Sequence, residues 1–258
     1  MELKGAIVLI TGASSGIGAM MAQHLAQRGA IPILTARSPD KLEKVSSLIH
    51  SEHQCYVMDV TNNEQVQQVI QHVQDKYGFI DILINNAGYG VFQTFVEAPL
   101  DEFAAMMDVN YLGVVRCTQA VLPSMLAAKR GHIINIASLA GKIGSAKSSA
   151  YTATKHAVIG MTNSLRLELM GTGIHLTTIN PGPIRTPFFE RADPSGNYVK
   201  QIDFLMLKPE KVVRAIIHAI EHQSAEKNLP RAALFGVLLF QLFPRVFERL
   251  AHTYLNKK

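Results

Sequence analysis

Cysteine is scarce: Cys55 and Cys117 are the only two in 258 residues. Two cysteines cannot supply a disulfide framework. Both sit in apolar patterns, so the chain reads as one that works in a reducing compartment. Long apolar runs are missing too. None reaches the 18 or so residues that a membrane span needs. The first short run, Ala6 to Ile10, leads straight into a glycine-rich turn, the expectation for a chain without a secretory signal. Internal repeats, low-complexity segments and domain-separating linkers are also absent.

An excess of one charge is missing from most of the chain. The net charge of +5 comes wholly from residues 227–258, where Lys227, Arg231, Arg245, Arg249, Lys257 and Lys258 face Glu248 alone. The 19 basic and 19 acidic residues that precede them cancel. A nucleic-acid binder spreads its cations over a face of the fold. A basic tail on a neutral domain predicts no nucleic-acid partner.

What is present is alternation. Short β-branched runs at Ala6–Thr11, Ile31–Thr35, Gln54–Met58, Ile80–Ile84, His132–Ala137 and Ile174–Ile179 alternate with helical patterns. Val66, Val69, Ile70, Val73 and Tyr77 form one helical stripe; Val212, Val213, Ile216, Ile217 and Ile220 form another. This pattern predicts an α/β fold of three layers, a doubly wound, Rossmann-like parallel sheet of about seven strands. Residues 1–228 are expected to form the dinucleotide-binding and catalytic domain, with 229–258 a helical extension of it.

The polar residues fall at the strand ends. Gly12 to Gly16 follow the first strand, Arg37 the second, Asp59 the third and Asn85-Asn86-Ala87-Gly88 the fourth; Ser138 follows the fifth and Pro181-Gly182-Pro183 the sixth. Ligands of open α/β sheets bind at the carboxyl ends of strands. Six such ends predict one shared cleft.

In Thr11-Gly-Ala-Ser-Ser-Gly-Ile-Gly18, Gly12 permits a tight turn, Gly16 close approach to a pyrophosphate and Gly18 close helix packing. The helix that follows offers free N–H groups to phosphates. Thr35 and Ala36 supply no carboxylate for a ribose 2′-hydroxyl, whereas Arg37 supplies a planar, always-charged fork suited to a 2′-phosphate. Ser14 and Ser38 add hydroxyls. The expected cofactor is NADP(H).

Tyr151 and Lys155 stand four residues apart, one above the other on a helix face. A phenol ordinarily titrates near 10, and a neighbouring ammonium favours the phenolate. Lowering it by ~3 units takes roughly 4 kcal/mol of differential interaction, within reach of one close cation, Lys155, together with a positively charged cofactor ring. Ser138, thirteen residues upstream, ends the run His132-Ile-Ile-Asn-Ile-Ala-Ser and is placed to bond the same substrate oxygen.

Thr11-Gly-x-x-x-Gly-x-Gly18, Ser138 and Tyr151-x-x-x-Lys155, in that order over residues 5–222, resemble the short-chain dehydrogenase/reductase family. The resemblance implies an oxidoreductase that moves hydride between nicotinamide and a carbonyl or secondary alcohol. In it Tyr151 donates a proton, Ser138 steadies the oxygen and Lys155 binds the nicotinamide ribose. Asn110, in Val109-Asn-Tyr-Leu-Gly113, matches the asparagine that holds a water-linked proton path to Lys155. Ser15 and Ile17 fall within the phosphate turn. Asp59-Val60 would lie on the adenine, and Asn86, Ala87 and Gly88 on the adenosine ribose. Pro181, Gly182, Ile184 and Thr186 match the segment that meets the carboxamide. No metal is required. The family also implies a homodimer or homotetramer through the Tyr151 helix (Ala157, Val158, Gly160, Met161, Ser164) and the helix around 110–125. The alternative is a dinucleotide-binding sensor or scaffold without turnover, which the intact Ser138, Tyr151, Lys155 and Asn110 argue against.

Three features stand outside that core. Pro187 to Leu207 is a long segment with Phe188, Phe189, Tyr198, Ile202, Phe204, Leu205 and Met206; with Tyr89, Val91, Phe92, Leu139 and Ile143 it either lines a site for a lipophilic substrate or packs onto the core. His218-Ala-Ile-Glu221-His222 spells a zinc-peptidase motif, but the apolar stripe of that helix turns both histidines to the wet side, so no metal is expected. After Asn228, Ala232 to Phe240 is apolar throughout and Pro244 opens a helix with Phe243, Phe247, Leu250 and Tyr254 in step. Such a basic amphipathic end either lies on an anionic membrane surface or forms a subunit interface or cleft cover. The chain is expected in the cytoplasm, and residues 229–258 are the one candidate for peripheral membrane contact.

Overall fold

A strand buried on both faces is apolar along most of its length; Ala6–Thr11 comes near that condition, whereas His132–Ala137 and Ile174–Ile179 also bury the polar His132, Asn135, Thr177 and Thr178. The computed structural model describes residues 2–246 and Arg249. Its strands are β1 (Ile7–Thr11), β2 (Ile31–Ala36), β3 (Gln54–Val57), β4 (Ile82–Asn85), β5 (Gly131–Ile136), β6 (Ile174–Pro181) and β7 (Glu226–Leu229). All neighbours pair in parallel, in the order β3-β2-β1-β4-β5-β6-β7. The helices are α1 (Gly16–Ala26), α2 (Pro39–Ser46), α3 (Asn63–Tyr77), α4 (Leu100–Met107), α5 (Gly113–Ala128), α6 (Ser149–Glu168), α7 (Phe188–Ala192), α8 (Asn197–Ile202), α9 (Pro209–Glu221) and α10 (Ala233–Leu242).

Successive strand residues point to opposite faces, so the sheet builds two cores. Val8 and Ile10 join Met21 and Leu25 of α1 and Val213 and Ile217 of α9. Leu9 and Leu83 join Val66, Val69 and Val73 of α3 and Cys117 and Val121 of α5. The helix stripes read from the sequence are buried, apart from half-buried Tyr77. The N-cap Asn62 accepts from the Gln65 N–H at 3.0 Å and starts α3; Gly78, at φ 77°, ends it.

The strand order reverses between β1 and β4, the switch point at which open α/β sheets form a ligand crevice beyond the carboxyl ends of their strands. β4 starts two residues later than predicted and includes Asn85. β7 was not among the predicted runs, because Glu-Lys-Asn-Leu carries no apolar pattern. Its place comes from pairing with Thr178–Pro181 of β6 and from an Asn180 to Asn228 side-chain hydrogen bond of 3.0 Å. Lys227 therefore belongs to the sheet. Cys117 is buried, but Cys55 is exposed on the edge strand β3, where alternate residues turn to water. Val158 of α6 is buried within the chain, while Gly160 faces open space. Of the predicted tail stripe, Phe243 is described; Phe247, Leu250 and Tyr254 lie outside the described residues.

Between α4 and α5 the chain makes one wider turn, the π-helical segment Asp108–Leu112. Such turns are rare and gather at functional sites. Asn110 sits in the middle of this one.

Candidate active site

At the end of β1 the chain is tied to the end of β4. The Thr11 hydroxyl accepts from the N–H groups of Asn86 (2.9 Å) and Ala87 (3.0 Å), and the Asn86 amide donates to the carbonyls of Thr11 (2.9 Å) and Gly12 (3.1 Å). A β-carbon on Gly12 would stand 2.9 Å from Ala87 Cα, and Gly12 has φ +66°. One on Gly18 would stand 2.3 Å from the Gly12 carbonyl oxygen. Neither position admits a side chain. Gly16, at φ +55°, opens α1 opposite Thr186, whose Cβ would be 3.7 Å from an added β-carbon. The N-cap residue Ser15 makes no side-chain cap bond, and the first turn of α1 has no acidic residue. This bare turn, with uncapped helix N–H groups, fits a dinucleotide pyrophosphate.

Arg37 leaves the end of β2 with 66% of its side chain exposed, its guanidinium 3.9 Å from Asp59. The Asp59 carboxylate accepts from the Thr61 N–H and hydroxyl. Half-buried Ser38 starts α2 without a side-chain cap bond, and Ser14 is half-buried beside the turn. Val60 is buried against Gly113. Arg37, Ser38, Asp59 and Val60 thus share the rim of the crevice with the turn.

Across the crevice, β5 ends at Ile136 and Ser138 caps a short 3-10 turn. The Ser138 hydroxyl accepts from the Ala140 N–H (3.1 Å) and donates to the Pro181 carbonyl (3.3 Å). Ser138 therefore caps a turn, and its hydroxyl lies near enough to the Tyr151 phenol to favour the phenolate. Tyr151 and Lys155 lie on one face of α6, the Lys155 ammonium 5.7 Å from the centre of the Tyr151 ring. That ammonium is buried and donates to the Ile136 carbonyl at 2.8 Å. Asn110 is fully buried. Its oxygen accepts from the Tyr89 N–H (2.9 Å), and its amide donates to the Tyr89 carbonyl (2.8 Å) and the Thr154 hydroxyl (3.1 Å). Gly88 separates the two: an added β-carbon would be 3.0 Å from Asn110 Oδ1 and 3.7 Å from Lys155 Nζ.

The electrostatics run against the expectation for Tyr151. Burial pushes its pKa up to about 12; the nearby Ser138 hydroxyl pulls the other way, and Tyr198 adds to the rise. Burial also lowers Lys155 to about 8. Low dielectric disfavours both the phenolate and the ammonium. Lys155 spends its short hydrogen bond on a backbone carbonyl rather than on the phenol, so the polypeptide by itself does not make Tyr151 acidic.

The segment after β6 closes over this group. Its base is pinned where the Leu207 N–H donates to Pro183 (2.8 Å) and the Arg185 N–H to Leu207 (3.1 Å), around a bridge between Ile184 and Leu207. The Gly182 N–H donates to the Leu229 carbonyl at 2.7 Å, and the Thr186 hydroxyl to Ile184 at 3.4 Å. Phe188 and Phe92 stack edge-on or tilted against Tyr151, with ring centres 5.6 and 6.3 Å away; Tyr198 meets Phe92 at 5.2 Å. Gly90 leaves room for them, since a β-carbon there would be 2.9 Å from Phe188 Cζ. Within the segment Phe188 packs on Tyr151 and Tyr198 on Phe92, Phe189 is buried, and Phe204 and Leu205 are exposed to water. His218 and His222 stack at 4.0 Å on the outer side of α9, and Glu221 pairs with Arg28 at 2.6 Å.

Three contributors escaped the sequence reading: the Thr154 hydroxyl, the Ile136 carbonyl and Gly90. Thr154 stands between Tyr151 and Lys155 in the motif itself, and Gly90 follows the Asn-Asn-Ala-Gly run. The backbone carbonyl leaves no trace in residue types.

A profile for short chain dehydrogenases matches residues 6–195. An uncharacterized oxidoreductase of Staphylococcus saprophyticus is 38% identical over 228 residues, 87% of this chain and 94% of the relative. One from Staphylococcus haemolyticus is 37% identical over 88% of this chain and 96% of its own length. A short chain dehydrogenase/reductase from Burkholderia phymatum, solved in complex with NAD, superposes with a TM-score of 0.87 at 25% identity, over 95% and 96% of the two chains. The closed form of a serine dehydrogenase complexed with NADP+ gives 0.79 at 30% identity, over 86% and 94%.

Proposed function

We propose that this chain, which belongs to the short-chain dehydrogenase family of oxidoreductases, uses NADP(H) to interconvert a carbonyl and a secondary alcohol on a lipophilic small molecule. The observation that carries the reading is the convergence, in one crevice, of a bare glycine turn with the Ser138 hydroxyl, the Tyr151 phenol and the buried Lys155 ammonium. Nicotinamide as the cofactor class is supported by the neighbours solved with NAD and with NADP+. Preference for the phosphorylated form rests on Arg37, exposed at the end of β2 with no carboxylate at Thr35 or Ala36. Gly12 to Gly18 and the start of α1 would hold the pyrophosphate, Arg37 and Ser38 the 2′-phosphate, and Ile184 and Thr186 the carboxamide. When bound, the cofactor supplies the hydride.

The side chains do the rest. With its pKa near 12, Tyr151 is a neutral proton donor at physiological pH, as reduction of a carbonyl requires. Ser138 donates to the same oxygen and steadies the charge that develops there. Lys155, held by Ile136, supplies positive charge beneath the phenol, and Asn110 holds the Tyr89 backbone beside it. Phe92, Phe188 and Tyr198 exclude water and favour an apolar substrate. We take the working form to be a cytoplasmic homo-oligomer.

NADPH consumption across a panel of ketones and aldehydes tests the reading. At least one lipophilic carbonyl should turn over, and Tyr151→Phe should cut that rate about 10²–10⁴-fold while still binding NADPH. Tight NADPH binding with no turnover on any carbonyl would assign the chain to the sensor class instead.

A further inference from the structure

Helix α10 is apolar on both of its faces. Ala233, Val237 and Phe240 turn toward the body and are buried or half-buried. Leu234, Phe235, Leu238, Leu239 and Leu242 face water, Phe235 being 70% and Leu242 69% exposed. The outer row continues into Phe243 and Val246, both exposed. A surface helix ordinarily puts polar residues on its outer side. A contiguous apolar row of this length marks a contact site.

The charges choose the occupant. From Ala232 to Phe243 there is no ionisable side chain, and exposed Arg231 and Arg245 bracket the row. Beyond Glu226 the sequence holds one acid, Glu248, against Lys227, Arg231, Arg245, Arg249, Lys257 and Lys258. An apolar row flanked by cations complements a lipid surface: the leucines and phenylalanines enter the headgroup boundary and the guanidinium groups meet lipid phosphates. An antiparallel pairing of this face with a second copy would set Arg231 against Arg245, with no acid on the face to neutralise them.

Position adds a second argument. α10 leaves the carboxyl end of β7, beside the Gly182 segment of the active site. The other connections from that edge expose apolar side chains as well: Phe95, Val96 and Leu100 between β4 and α4, Phe204 and Leu205 between β6 and α9. No helix among the described residues is long and apolar enough to cross a membrane.

We propose that the outer face of α10 docks on an anionic membrane surface as a peripheral contact, setting the carboxyl edge of the sheet toward the lipid. The contact does not depend on the catalytic reading, and its test is not an activity assay.

The full chain is sedimented with vesicles of phosphatidylcholine alone and of phosphatidylcholine mixed with phosphatidylglycerol. The wild type should partition onto the mixed vesicles and far less onto the neutral ones. Phe235→Asp with Leu239→Asp should weaken that partitioning by about tenfold or more. Arg231→Gln and Arg245→Gln should each weaken it about fivefold, on the anionic vesicles only. Because these residues face water, the variants should keep wild-type circular dichroism and thermal midpoints. A wild-type chain that stays in the supernatant with both vesicles overturns the proposal. So does a Phe235→Asp/Leu239→Asp chain that binds as well as wild type. If that pair of changes instead lowers the sedimentation coefficient without lipid, and the wild type ignores vesicles, the face belongs to a second copy.

Discussion

The two edges of the sheet make an instructive pair, and β5 runs from one to the other. Near its amino end His132 is fully buried, and burial with the nearby His175 pushes its pKa down to about 3. Past its carboxyl end the buried groups are Tyr151 and Lys155, moved to about 12 and about 8 by the same desolvation. Judged by displacement alone, His132 is the most perturbed of the three. It is nonetheless sealed in. The Thr177 hydroxyl donates to the Ser224 carbonyl, so His132 Nε2 must donate to Thr177 (2.7 Å), leaving the ring neutral and Nδ1 without a partner. A perturbed pKa therefore does not mark function by itself. What separates the carboxyl edge is convergence: hydroxyl, phenol and ammonium from the β5–β6 connection and an amide from the β4–β5 connection meet in one crevice.

Lys155→Met should widen that difference most. Turnover should fall at least about 10²-fold, because the charge beneath the proton donor is gone. The pH dependence of stability changes too. The folded Lys155 loses its proton near pH 8, the unfolded one near 10.5, so this group adds stability as pH rises through that window. Urea unfolding from pH 7 to 10 should show the rise in wild type and lose it in Lys155→Met. Above pH 10 the raised Tyr151 works in the opposite sense, since its unfolded form ionises first.

A middling effect is expected at the cofactor rim. Arg37→Ala should raise the NADPH dissociation constant roughly 10–100-fold, the equivalent of a charge-assisted hydrogen bond of about 1.5–3 kcal/mol, and leave NADH untouched. Titration of cofactor fluorescence measures both. Its exposed pairing with Asp59 is too weak to matter for folding.

The smallest effect on catalysis belongs to the amino edge. His132→Asn should leave turnover per folded molecule unchanged, and would erase the comparison if it did not. Between pH 6.5 and 3 the unfolded chain binds a proton at His132 that the folded chain refuses, so wild-type stability falls as pH drops through that range. The variant should lose up to about 1.4 kcal/mol per pH unit of that slope in calorimetry.

Steric demands proved legible in the sequence and electrostatic ones did not. Gly12 and Gly18 announce themselves because no other residue fits where they stand, and Tyr151 and Lys155 because helix geometry fixes what four residues apart means. The direction of the Tyr151 shift depends on burial beneath Phe188 and Tyr198, some forty residues away in the chain, and no local pattern carries that information. β7 was invisible for a related reason: its residues are polar, and only β6 beside it makes them a strand.

The wide turn at Asp108–Leu112 has an evolutionary corollary. α4 and α5 are nearly one rod, yet α4 packs on α6 while α5 packs on α3, β4 and β5. Deleting a single residue there would let the turn close as an ordinary α-helical turn and leave the flanking helices in about the same register, because a π turn is an α turn with one residue added. What would be lost is the bulge that holds Asn110 against Tyr89 and Thr154. The length of this stretch is thus as constrained as its composition, and natural insertions and deletions should avoid it even where individual side chains vary.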